Sequence, residues 1–202
     1  MNDSSYFPLF DLHEMFATME RKNPNFWGVV DSHSIRWHVM RWFWSFDRRI
    51  VGSGWIDWYL QEFDPSFSKW DQIRNFEMRI PLHLKQSGFL VDSYVSADEV
   101  YKYVSRYEQN HERFTNRIDF TMTHDFWDVI IRKFRCPALK VELIRDNPLG
   151  IELKGALDLV KTHTNYDPEL IRNHIRRIKT SHLEDLAKLA RIHATATVGR
   201  AN

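Results

Sequence analysis

Two carboxylates carry the chemistry this chain can offer. Asp3 lies in Asn2-Asp3-Ser4-Ser5, just before Tyr6-Phe7-Pro8-Leu9 and an amphipathic run. A carboxylate at the end of a strand can hold magnesium or manganese. These ions prefer carboxylate oxygens and water, so one or two Asp suffice. Glu77 lies in Asn75-Phe76-Glu77-Met78-Arg79-Ile80. A carboxylate there can take a proton from an attacking hydroxyl, while a nearby cation stabilises a departing phosphate. Each has a plainer reading. An Asp before two Ser also makes a helix cap or a turn, and a Glu on a helix is often only surface.

Further candidates surround these two. Asp31 closes the apolar run Phe26-Trp27-Gly28-Val29-Val30, and strand ends are where open α/β sheets present groups to substrates; its alternative is a cap on the next turn with Ser32. The chain has eight Trp and fourteen Phe, and seven of the Trp fall between Trp27 and Trp70. Trp clusters build cores, and they also build surfaces that stack on sugars. Trp27, Trp37, Trp42 and Trp44 are the candidates for stacking, with core packing as the alternative for each. Arg145 can contact a phosphate or make a local ion pair with Asp146. The ten His show no pair at i, i+4 with a Glu between them, so a zinc site is not expected.

These residues need elements to hold them. Apolar spacing predicts a helix over 8–21, stopped by Asn23-Pro24-Asn25. A buried strand follows from Phe26 to Val30, then a strand over 40–46. A helix is expected over 55–63. A second helical stripe runs from Asp71 to Gln86, with Pro81 marking a start or a kink and Ser87-Gly88 a stop. Phe89 to Val95 reads as a strand. Ser96-Ala97-Asp98-Glu99 reads as a capping box opening a helix to Asn110. A further helix is expected over 123–134, while 139–144 is ambiguous. Asp167-Pro168 and Ser181-His182-Leu183-Glu184 mark two helix starts in the tail, and residues 195–202 are expected to fray.

Composition bounds the answer. At 202 residues the chain has room for one domain with an appended tail. A net charge of +1 gives no bulk pull toward nucleic acid, so no nucleic-acid partner is expected. A single cysteine, Cys136, excludes an intrachain disulfide and fits a reducing cytoplasm; before Pro137 it reads as a buried small residue rather than a nucleophile. No run approaches the roughly 20 apolar residues of a membrane span, and the start lacks the pattern of a secretion signal. Arg172, Arg176, Arg177 and Lys179 form a basic face suited to anionic headgroups, or simply to water.

Three stretches bear a family resemblance. Asn2-Asp3-Ser4 through Pro8-Leu9-Phe10, Asn25-Phe26-Trp27-Gly28-Val29-Val30-Asp31-Ser32, and Leu139-Lys140-Val141-Glu142-Leu143-Ile144-Arg145-Asp146-Asn147-Pro148-Leu149-Gly150 are similar to segments of the rhamnan synthesis protein F family. Val30 stands where that family has Thr. The segment from Glu77 to Gly88, 11 residues on, resembles the acidic motif of GT-A glycosyltransferases, whose base is commonly Asp. Thr123-His124 resembles a Thr-His in the family. The resemblance implies an α/β fold: residues 1–150 as the acceptor-side half of a GT-A-like domain, with a helical C-terminal tail over 151–202. The nucleotide-binding strands are expected before residue 1. It also implies a dTDP-rhamnose-like donor, a glycan acceptor, Mg2+ or Mn2+ on Asp3, Glu77 as base, and Asp31, Trp27, Trp42 and Arg145 toward substrate. Location is expected in the cytoplasm, at the inner face of the membrane. The alternatives are a non-catalytic remnant or glycan-binding module, and one subunit of a split enzyme completed by a partner chain.

Overall fold

Strand β2 (Phe26–Ser32) is buried along its whole length, and the rest of the first unit is arranged around it. The computed structural model describes residues 4–108, 120–150, 153 and 155–178. A strand buried on both faces has no polar alternation, which is why Phe26 to Val30 reads as a continuous apolar run. Strand β5 (Val91–Val95) pairs with β2 in parallel, from Phe26↔Val91 to Val30↔Val95. Along the other edge of β2 lie two short antiparallel strands, β3 (His38–Val39) and β4 (Trp44–Phe46).

The strand expected over 40–46 is thus split, and the register says why. From Asp31 to Gly28, β2 advances three residues. Its partner advances five, from Val39 to Trp44. Two extra residues bulge out between β3 and β4, freeing backbone donors from the ladder. Gly28 lies against this edge: a Cβ there would collide with Val39 Cγ1 and stand 2.9 Å from the Phe43 carbonyl oxygen.

Helices cover both faces. Met15 and Met19 of α1 (His13–Lys22) join Trp27, Val29 and Val95 in one core cluster. Helix α1 starts five residues later than its apolar spacing suggests. The backbone of Leu9 is engaged elsewhere, donating to Pro137 and accepting from Asn165. Helices α2 (Arg48–Gly52) and α3 (Trp55–Gln61) follow β4. The expected 71–86 helix is three pieces: α4 (Lys69–Gln72), a π-helical turn (Ile73–Glu77) and α5 (Ile80–Gln86), with Pro81 in the first turn of α5. Phe76, Ile80 and Leu84 from these pieces pack with Phe26, Val39 and Ile50 in a second cluster.

Helix α6 (Ala97–Tyr107) follows β5. The helix expected over 123–134 is broken at Phe126 into α7 (Met122–Asp125) and α8 (Trp127–Arg132). A second sheet pairs β1 (Ser5–Tyr6) with β6 (Leu139–Lys140), antiparallel, and α9 (Val141–Arg145) continues from β6. Helix α10 (Ala156–His163), placed in the tail by sequence, belongs to the first unit, residues 1–166, with Ala156 and Val160 buried. The second unit begins at Asp167. Its described part is a helix, α11, over residues 168–178, with the Asp167 carboxylate accepting from the Glu169 N–H at 2.9 Å. The second capping box, Lys179 and residues 195–202 lie outside the described residues. No helix among the described residues is long and apolar enough to cross a membrane.

Candidate functional site

The carboxyl ends of the parallel pair β2 and β5 lie side by side, and Asp31 stands there. Its Oδ2 accepts from Trp37 Nε1 at 2.9 Å, and its Oδ1 accepts from the backbone N–H of Ala97 at 2.5 Å. Burial pushes the Asp31 carboxyl above its ordinary range, and these two hydrogen bonds oppose that shift.

Glu77 is the last residue of the π-helical turn, and it is buried. Its Oε1 accepts from the backbone N–H of Arg41 at 2.9 Å, one of the donors that the bulge turns out of the ladder. The Arg41 guanidinium holds Gln72 Oε1 at 3.0 Å, just before the same turn. His38 Nε2 stands 4.0 Å from Glu77 Oε1. Its Nδ1 is 2.9 Å from the Arg36 carbonyl, which can only accept, so Nδ1 carries a proton and Nε2 faces the carboxylate. The consecutive rings of Trp37 and His38 therefore face two buried carboxylates, Asp31 and Glu77. Turns of π-helix are often found at functional sites.

The bulge also reaches toward the chain's first described residue. Next to Arg41, Trp42 lies under Lys140 Nζ, 5.5 Å from the ring centroid. Lys140 Nζ is 3.5 Å from Ser4 Oγ, and the Ser4 carbonyl accepts from the Val141 N–H at 3.0 Å. Residues 41–42 thus stand between Glu77 and Ser4, the neighbour of Asp3. Asp3 itself lies outside the described residues. Beyond it, no three of the described His, Cys, Asp or Glu side chains come together to hold a metal ion.

Two stacking candidates take other roles. Trp27 packs edge-on to Phe16 at 5.7 Å and against Phe43 at 5.4 Å, and Trp42 is 2% exposed. Both are core side chains of one buried cluster, Trp27 against Phe16 of α1 and Trp42 edge-on to Phe7 at 6.4 Å. Trp42 Nε1 is buried with no hydrogen-bond partner among the described residues. Trp37 is tied to Asp31 and covered by Lys85 Nζ at 3.5 Å, while Trp44 Nε1 donates to the Val39 carbonyl. Arg145 pairs with its neighbour Asp146 at 2.6 Å on the surface.

His124 and Asp125 are the last two residues of α7, and Asp125 Oδ2 reaches back to accept from the Thr121 N–H at the helix start, at 2.6 Å. His124 also lines an open cleft of about 400 Å³, with Ile73 at the start of the π-helical turn and Glu142, Pro148 and Leu149 from the resemblance block. His38, Arg41 and Lys140 are the site residues that sequence reasoning missed. Lys140 lay inside the quoted block. Arg41 acts through its backbone, which has no sequence signature.

Fold and site together define a mixed α/β protein with two buried carboxylates, Asp31 at the carboxyl end of a parallel strand pair and Glu77 on a π-helical turn. The chain belongs to the rhamnan synthesis protein F family, whose model matches residues 1–199. No curated protein and no solved structure matches it. The family implies a part in rhamnan synthesis, and hence in polysaccharide biosynthesis.

Proposed function

We propose that the chain forms the acceptor side of a GT-A-like glycosyltransferase that adds a deoxysugar, such as rhamnose, to a growing glycan with inversion at the anomeric carbon. The observation that carries this is the setting of Glu77. One oxygen is anchored by the Arg41 N–H at 2.9 Å, so the carboxylate is aimed while Oε2 stays available to a hydroxyl. In the step, Glu77 takes the acceptor hydroxyl's proton. The hydroxyl oxygen bonds to the anomeric carbon as the carbon–oxygen bond to the nucleoside diphosphate breaks, and the diphosphate leaves with the electron pair.

The leaving diphosphate needs positive charge. Lys140, whose Nζ is 3.5 Å from Ser4 Oγ, is a cation beside the residue that follows Asp3, and we assign it to that charge. Asp3 would hold Mg2+ or Mn2+ that takes its remaining oxygens from the diphosphate and water. The donor in this reading is dTDP-rhamnose-like and the acceptor a glycan. The exposed Arg172, Arg176 and Arg177 of α11 suit peripheral contact at the cytoplasmic face of a membrane.

The test is transfer from dTDP-rhamnose to a rhamnose oligosaccharide by the native protein. Glu77→Gln should lower kcat by about 10²–10⁴ with the circular dichroism spectrum and Tm unchanged. A wild-type rate in that variant removes Glu77 from the mechanism, and no transfer by the wild type sinks the reading itself.

A further inference from the structure

A second, partly open cavity of about 210 Å³ is lined in part by Asn75 and Phe76 of the π-helical turn, and neither Asp31 nor Glu77 is in its lining. Its walls are the rings of Trp55, Trp58, Tyr59 and Phe76. Trp55 and Tyr59 stack at 5.7 Å, Tyr59 meets Phe76 edge-on at 5.1 Å, and Trp58 stacks on His83 at 5.6 Å. The lining also holds the polar side chains of Glu62, Asn75 and Arg79, beside Phe67, Ile80 and His83.

We infer that this cavity is a subsite for one sugar residue of the acceptor glycan, set next to Glu77; the name "acceptor" rests on the glycosyl-transfer reading. Size is the first argument. Pockets for drug-sized ligands run to roughly 300–1,000 Å³, so this cavity fits a single ring and not a nucleotide. Lining chemistry is the second. A pyranose has apolar C–H faces, and a 6-deoxysugar adds a methyl, which aromatic walls accommodate. Its hydroxyls both donate and accept, and the lining offers an acceptor in Glu62, donors in Arg79 and both in Asn75. The charges of Glu62 and Arg79 offset each other, and a carboxylate in the wall opposes a diphosphate.

Position is the third argument. Phe76 immediately precedes Glu77 in the turn. The Tyr59 hydroxyl is held above its ordinary pKa chiefly by burial; Arg41 opposes the shift and Glu77 adds to it. A cavity wall therefore lies within the field of the base and of the arginine that anchors it.

Isothermal titration of the native protein with a rhamnose trisaccharide, without nucleotide, tests this. Saturable binding is expected, weakened about tenfold or more in both Trp58→Ala and Arg79→Ala, the loss of one well-placed contact. Arg79 is exposed, so its variant keeps the fold if Trp58→Ala does not. In transfer assays the same variants should raise KM for the glycan and leave KM for the donor unchanged. Unchanged affinity in Arg79→Ala, displacement of the trisaccharide by thymidine diphosphate, or no binding by the wild type overturns the subsite. Because binding is read without turnover, that outcome is separate from a failure of Glu77 as base.

Discussion

Ala97 donates its backbone N–H to Asp31 Oδ1 at 2.5 Å, across 66 residues of sequence. The contact exists because β2 and β5 run parallel, so the end of one lies beside the start of the helix that follows the other. Asp31 thereby does what Ser96 was expected to do. The Ser96 side chain makes no cap hydrogen bond, and a carboxylate at a helix N-terminus also meets the favourable end of the dipole.

Asp31→Asn should destabilise the protein by about 1–3 kcal/mol at neutral pH. The amide oxygen can still accept from Ala97, but its NH₂ then faces Trp37 Nε1–H, a donor against a donor. Urea unfolding of the two proteins measures this; equal midpoints and slopes would show that the Trp37 contact contributes nothing.

The same residue gives a pH signature. Its folded pKa is raised above the ordinary 3.8, chiefly by burial. Between the unfolded and folded pKa values the native state binds more protons than the unfolded state, so this group's contribution falls as pH rises through that window. The difference in unfolding free energy between wild type and Asp31→Asn should therefore change as pH climbs from about 3.8, with wild type losing ground. A pH-independent difference across the acid range contradicts the raised pKa.

Gly28→Ala should cost about 1–3 kcal/mol, since the new methyl collides with Val39 Cγ1 and crowds the Phe43 carbonyl. Both neighbours belong to the bulged edge that aims Arg41 at Glu77. Loss of transfer activity should therefore accompany the fall in Tm. A Tm within a degree of wild type would mean that the edge yields freely.

Sequence reading succeeded where one local signal decided the outcome. Phe26 to Val30 is a run of buried apolar residues, and such a run has few alternatives. Ser87-Gly88 ended a helix as such pairs do. Reading failed where tertiary contacts chose between equal options. Residues 37–46 are crowded with aromatic and apolar side chains, and nothing in them marks the two-residue bulge. Trp27 and Trp58 are the same residue type, yet one is 7% and the other 42% exposed. Glu77 was a candidate through the resemblance of its segment to an acidic motif of GT-A glycosyltransferases. Its anchor, a backbone N–H from a bulge 36 residues earlier, was not legible.

Cys136 should resist thiol reagents in the native state. It is wholly buried, its Sγ donates to the Ala138 carbonyl at 3.6 Å, and burial pushes its pKa up to about 12. The nucleophile is the thiolate, so labelling should proceed only on unfolding, at a rate that tracks denaturant. Rapid stoichiometric labelling of the folded protein at pH 8 would contradict the burial.

Glu77 has two roles that two variants can separate. Its Oε1 satisfies the Arg41 N–H, and a buried donor left without a partner costs about 1–3 kcal/mol. Glu77→Ala should therefore lower stability by that amount and abolish transfer. Glu77→Gln keeps an amide oxygen for Arg41, so its stability should stay near wild type. It cannot take a proton, so transfer should still be lost. Equal destabilisation in both variants would mean that charge, facing His38, matters more to the fold than the Arg41 hydrogen bond. Retained stability in Glu77→Ala would mean that the bulge finds another acceptor, and that nothing in the fold requires a carboxylate at position 77.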